Sequence, residues 1–208
     1  LVSSDRMRHG TAEVLRATAC NYWAQGVDGL YVAYWHGLWP YGDDFYAKLR
    51  ELPHPDVMQT KSKVYFVSTQ ADRVTPESLE PGLVMQLPAE MKINEPTAVD
   101  FRISDDLPRW GDAGRVDEVI LRIRVVDSTE LDRYSVTLNG VDLPNSLGRT
   151  INTHYGKTSR YGKPRGYFFV YRLPRERWPV QGINTVEVTL LERDPDAAPA
   201  RYLHDVEV

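Results

Sequence analysis

One cysteine among 208 residues, Cys20, excludes a disulfide framework within the chain. It leaves the compartment open, because many secreted domains carry no disulfide. No apolar run approaches the roughly 20 residues that a membrane span requires. The five histidines show no metal-ligand spacing. A strong charge of one sign is also missing. The net charge of −4 argues against a dedicated nucleic-acid binder. There is no internal repeat, no low-complexity tract and no signal-peptide pattern. The chain begins at Leu1 without Met, which reads as a fragment or a processed product. What is present is ordinary: 42% hydrophobic and 26% charged residues place the chain among globular proteins, long enough for one large domain or two small ones.

The front of the chain reads as α-β-α. Thr11 suits an N-cap with Glu13 in the first turn, and Leu15, Ala19, Tyr22 and Trp23 form an apolar stripe at helical spacing. Gly26 closes that helix as a C′ residue. The following run, Val27-Asp28-Gly29-Leu30-Tyr31-Val32-Ala33-Tyr34, has almost no polar interruption and reads as a strand buried on both faces, the kind found in parallel sheets. A parallel strand needs parallel neighbours, and the chain offers no second one. An aromatic loop from Trp35 to Gly42 follows, then a helix capped by Asp43 or Asp44, with Phe45, Leu49 and Leu52 on one face and Pro53 at its end. Pro55 opens a further short helix through Met58, and residues 64–67 are a short apolar run.

From about Thr75 the pattern changes to alternation. Strands are expected over residues 83–87, 98–103, 119–126, 134–139, 167–173, 185–191 and 202–208, with Asn139-Gly140 as a tight-turn signal. No helical pattern intervenes. Short strands spaced this way predict an antiparallel sandwich or barrel. A polar stretch with Pro76, Pro81 and Gly82 divides a segment 1–75 from a β-domain 83–208.

Two resemblances follow from these residues. Gln25-Gly26-Val27-Asp28-Gly29-Leu30-Tyr31 and the Trp-rich loop after it are similar to the eighth strand of family-10-like glycoside hydrolases of the (β/α)8 fold. Gly182-Ile183-Asn184-Thr185-Val186-Glu187-Val188, the closing Tyr202 to Val208 and Val136-Thr137-Leu138-Asn139-Gly140 resemble the strands of a galactose-binding-like jelly roll. The resemblance implies a mainly β chain: a jelly-roll-like β-sandwich preceded by the last element of a barrel. It implies the C-terminal segment of a secreted or periplasmic glycoside-hydrolase-like protein involved in polysaccharide degradation. The sandwich would bind carbohydrate, support the catalytic barrel, or do both.

Barrel chemistry sits at the C-terminal ends of strands, so the resemblance makes Tyr34, Trp35, His36 and Trp39 candidate sugar-contacting residues. Aromatic filling of the rim explains them as well. Glycosidic cleavage needs two opposed carboxyl groups, and no such pair is readable. Asp28 lies at the wrong end of its strand, and Asp43 and Asp44 read as caps. Any catalytic carboxylates are expected upstream of Leu1. Loop carboxylates Asp105, Asp106, Asp194 and Asp196 suit a structural calcium or plain turn roles. No other cofactor is expected. Cys20 reads as an inert packed thiol.

The segment from Leu143 to Arg175 carries Arg149, Lys157, Arg160, Lys163, Arg165, Arg172 and Arg175 and no acid. His154, Tyr155, Tyr161 and Tyr167 interleave with them. Residues 152–166 read as a long loop, a place where function concentrates. Tyr155, Arg160 and Tyr161 are the candidate glycan contacts there, and acidic polysaccharide is one ligand that fits. The competing reading is a non-catalytic interaction module whose basic loop docks on an acidic protein surface, either the upstream barrel or another chain. Arg165 to Arg172 partly matches an RNA-binding strand. The two helices that such a domain needs are not readable, so neither nucleic acid nor membrane is an expected partner.

Overall fold

The computed structural model describes residues 11–31, 49–68, 86–152 and 166–208. Helix α1 (Ala12–Ala24) opens with the Thr11 hydroxyl accepting from the Val14 amide at 3.4 Å. Residues 49–51 are helical, and α2 (Pro55–Met58) is a single turn. Ten strands follow: β1 (Phe66–Ser68), β2 (Ala89–Met91), β3 (Pro96–Ile103), β4 (Ile120–Val126), β5 (Arg133–Leu138), β6 (Val141–Asp142), β7 (Gly148–Asn152), β8 (Gly166–Arg172), β9 (Gly182–Glu192) and β10 (Arg201–Glu207). A short helix α3 (Leu107–Asp112) lies between β3 and β4.

Two antiparallel sheets result. One runs β1-β10-β4-β8-β7, with β2 also on β10; the other runs β3-β9-β5-β6. From β2 onward each step carries the chain to the facing layer, except β5–β6 and β7–β8, which stay within one sheet. The period-two pattern decides what lies between them. Val99, Phe101 and Ile103, then Val136 and Leu138, then Val186, Val188 and Leu190 face Leu121, Ile123, Val125, Leu203 and Val206, all buried in one core. Each such side chain contributes about 1.5–3 kcal/mol. Asn139 and Gly140, at φ +52° and +76°, make the expected tight turn between β5 and β6.

Three features correct the expectations. The buried strand over 27–34 does not form at its described residues: 27–31 have no strand pairing, and Tyr31 is 93% exposed. Gly26, at φ +82°, turns the chain after α1, and every pairing between named strands is antiparallel, so no parallel neighbouring strand lies among the described residues. The strand expected over 83–87 is absent at residues 86–87 and appears instead as β2. Leu87 is buried without a ladder, and the Gln86 amide takes both backbone groups of Asp100, at 2.9 and 2.6 Å, in place of a strand. Helix α3 exists because Asp106 caps it, accepting from the Arg109 amide at 3.1 Å, with Pro108 in its first turn.

The front segment packs on the sandwich. Tyr65 and Val208 exchange two backbone hydrogen bonds of 2.7 Å, Asn21 donates to the Arg102 carbonyl at 2.9 Å, and Ala17 joins the sandwich core. A smaller cluster of Ala19, Cys20, Leu52 and Met58 holds α1 to the residues that follow, aided by the Trp23 indole donating to the Leu52 carbonyl at 2.7 Å.

Gly166 begins β8 against β4, and a Cβ there would lie 2.0 Å from the Val125 carbonyl oxygen. Backbone cannot yield as a flexible side chain does. Gly166→Ala is expected to cost about 3 kcal/mol, measured as a lower urea midpoint with unchanged slope.

Candidate functional site

Strands β5, β7 and β8 build a cleft of about 550 Å3 at one edge of the sandwich. Alternation along β8 puts Tyr167, Phe169 and Tyr171 on the inner side. Their partners on β7 are Asn152, Thr150 and Gly148. Gly148 is needed for that approach, since a Cβ there would come within 2.9 Å of the Tyr171 ring. Tyr134 enters from β5 in the other sheet, with its ring centroid 5.1 Å from that of Phe169 and the planes at 56°. This tilted aromatic pair forms a half-buried floor. The rim is exposed and polar: Glu130, Arg133, Asn145, Arg149, Thr150 and Asn152.

The wall next to Tyr134 is fixed by a buried ion pair. Arg201, opening β10, grips Asp132 through two bonds, Nε to Oδ2 at 2.6 Å and Nη2 to Oδ1 at 3.0 Å, and both side chains are 0% exposed. The same carboxylate accepts from the Thr129 and Asp194 amides, each at 2.8 Å, and from the Ser128 hydroxyl at 3.2 Å. The Tyr134 hydroxyl donates to Ser128 Oγ at 2.8 Å. Burial alone would raise the Asp132 pKa, but the guanidinium and the two amides outweigh it and hold it below the ordinary carboxylate value. Burial raises Tyr134 well above an ordinary phenol and pushes Tyr171 up to about 12, so both hydroxyls stay neutral at physiological pH.

These groups offer an apolar platform, neutral hydroxyls, amides and guanidinium forks. Asp132 is committed to Arg201, and Glu130 is the other acid in the lining. Two opposed, titratable carboxylates of the kind glycosidic cleavage uses are not assembled among the cleft's described residues. The arrangement is suited to binding.

The aromatic candidates Tyr34, Trp35, His36 and Trp39, and the loop candidates Tyr155, Arg160 and Tyr161, lie outside the described residues. The four loop carboxylates fall at opposite ends of β9. Asp105 pairs with Lys63 at 3.0 Å and accepts from the Tyr65 hydroxyl at 2.9 Å, while Asp106 caps α3. Asp194 accepts from Thr129 Oγ1 at 2.9 Å and from the Asp196 amide at 3.0 Å, which closes a turn. Among the described residues no group of three or more His, Cys, Asp or Glu is placed to hold a metal ion. Cys20 is buried, and burial pushes its thiol up to about 11.

Sequence reasoning named Tyr167 and Arg149 but not Tyr134, Phe169, Tyr171 or Asn145. The signal available was Tyr167, Phe169 and Tyr171 at every second position of an expected strand, which already puts three rings on one face. No protein-family model matches the chain, and no curated protein matches it.

Asp132→Asn removes the charge that neutralises Arg201 and is expected to cost about 3–5 kcal/mol in chemical unfolding. Asp132, Asp205 and Glu51 all have folded pKa values below their ordinary ones. Their contribution is complete above the unfolded carboxylate range, about pH 4, and is lost as pH falls through the lower folded values. Thermal midpoints are therefore expected to hold steady on acidification to about pH 5 and to drop below about pH 4.

Proposed function

We propose that this chain is a non-catalytic, carbohydrate-binding jelly-roll module of a glycoside-hydrolase-like protein, with its sugar site in the cleft between β5, β7 and β8. The observation that carries the reading is the Tyr134–Phe169 floor ringed by polar side chains. A pyranose presents apolar C–H faces and a hydroxyl edge, and this cleft offers a matching aromatic surface and matching donors and acceptors. Its volume, about 550 Å3, falls in the range of small-ligand sites and suits a short oligosaccharide.

The strand order supports the jelly-roll assignment. With β7 as an added edge strand beside β8, the other eight strands from β2 to β10 lie in the order β2-β10-β4-β8 and β3-β9-β5-β6, which matches a double Greek key. A place beside a barrel remains the expectation drawn from the Gln25-to-Tyr31 resemblance. The front segment also buries Ala19, Cys20, Leu52 and Met58 in a small core of its own.

Affinity electrophoresis of the full chain through gels containing neutral and acidic polysaccharides tests the assignment. Retardation on at least one polymer is expected. It should weaken about ten-fold in Asn152→Ala, an exposed change with little cost to folding, and more in Phe169→Ala. Free migration through every polymer would instead favour the protein-docking module.

A further inference from the structure

Strand β3 forms one edge of its sheet, and β6, with two residues, forms the other. An edge strand of eight residues presents a row of unpaired N–H and C=O groups, a template on which a further strand can form. Alternation sorts those groups. The Gln86 amide takes both the N–H and the C=O of Asp100, so Asp100 points its backbone away from β9. Every second residue of an antiparallel strand does the same. The open side of β3 therefore belongs to Pro96, Ala98, Asp100 and Arg102, while the residues between them face β9.

Three of these four positions are closed. Pro96 has no N–H to offer. The Arg102 carbonyl accepts from Asn21 Nδ2, on α1, at 2.9 Å. At Asp100, Gln86 Nε2 donates to the carbonyl at 2.9 Å and Gln86 Oε1 accepts from the amide at 2.6 Å. A residue of a neighbouring antiparallel strand would make this same pair of bonds. A side-chain amide supplies the donor and acceptor of a peptide group, so Gln86 fills the place of a strand residue without extending the sheet. The Asp100 carboxylate is turned to the outer face, where it accepts from the Thr185 hydroxyl at 2.6 Å. The fourth position, Ala98, is exposed, and no side chain among the described residues is bonded to its backbone.

We infer that Gln86 is a strand mimic that keeps β3 closed to a second copy of this chain, whose own β3 pairs across Ala98 and Asp100 once the amide is removed. This does not rest on the carbohydrate reading. Another β3 is the fitting occupant because the pairing is self-complementary. Centred on Val99, it sets Ala98 of one copy opposite Asp100 of the other, twice, and so closes at two copies. The neighbouring register would set Asp100 against Asp100 and oppose like charges. Helix α1, bonded at Arg102, confines the contact to this short stretch.

Sedimentation equilibrium of the full chain tests the inference. The unaltered chain is expected to be a monomer, and Gln86→Ala to enter a monomer–dimer equilibrium at the same concentrations. Gln86→Ala/Ala98→Pro lacks the N–H that the second copy needs, on an edge where proline is tolerated, and should return to the monomer. Hydrogen exchange on dilute monomer gives an independent reading. The Asp100 amide should be protected in the unaltered chain although it faces outward, and Gln86→Ala should speed its exchange about ten-fold. Four outcomes overturn the inference: Gln86→Ala monomeric at every concentration, association that survives Ala98→Pro or runs on to larger oligomers, an unaltered dimer that Ala98→Pro dissociates, or an Asp100 amide without protection.

Discussion

The grip of Arg201 on Asp132 is the constraint on which the cleft depends. Two unit charges with no exposed surface are expensive to bury, and a buried pair of this kind rarely stabilises a fold relative to apolar residues of the same size. What it supplies here is placement. Arg201 belongs to one sheet, and the turn before Tyr134 belongs to the other. The carboxylate's remaining lone pairs are filled by the Thr129 and Asp194 amides and by Ser128, so the turns preceding β5 and following β9 have few alternative arrangements. Tyr134 is then held against Phe169 from the side opposite to β8. An apolar replacement for the pair would fill the volume but would leave both turns without the acceptor that organises them.

The strands were legible where one face is buried and the other is not. In β9, Val186, Val188 and Leu190 alternate with Thr185, Glu187 and Thr189, and the expected span falls within the observed one. The same logic misled at 27–34. An unbroken apolar run is compatible with a strand buried on both faces, but only a partner can bury it, and nothing local to Val27–Tyr31 reveals whether a partner exists. Strand β7 was hidden for the opposite reason. As an edge strand with all but Gly148 exposed, Gly-Arg-Thr-Ile-Asn is under little pressure to alternate, and no strand was expected there. Helix α3, at six residues, is too short for periodicity. Only its cap, Asp106 ahead of Pro108, carries the signal.

The candidate site was legible in part for related reasons. Composition exposed the basic segment between Leu143 and Arg175, and this segment does supply β7 and β8. The ion pair and Tyr134 were not readable, because they join residues 69 positions apart across two sheets. Long-range pairing leaves no local trace in a single sequence.

Strand β10 connects these observations. Its C-terminal half carries β1, and beyond it Val208 pairs with Tyr65, so this end anchors the front segment. Its first residue, Arg201, organises the cleft. The two roles are separated by seven residues of strand, roughly 20 Å. They also fall on different neighbours: β1 lies on one edge of β10, while Asp132 reaches it from the facing sheet. Attachment at one end therefore leaves the other end open. Anchoring the front segment and organising the cleft are compatible in one sandwich, because the strand that takes part in both does so at opposite ends and through different chemistry: a backbone ladder at one, a buried charge pair at the other.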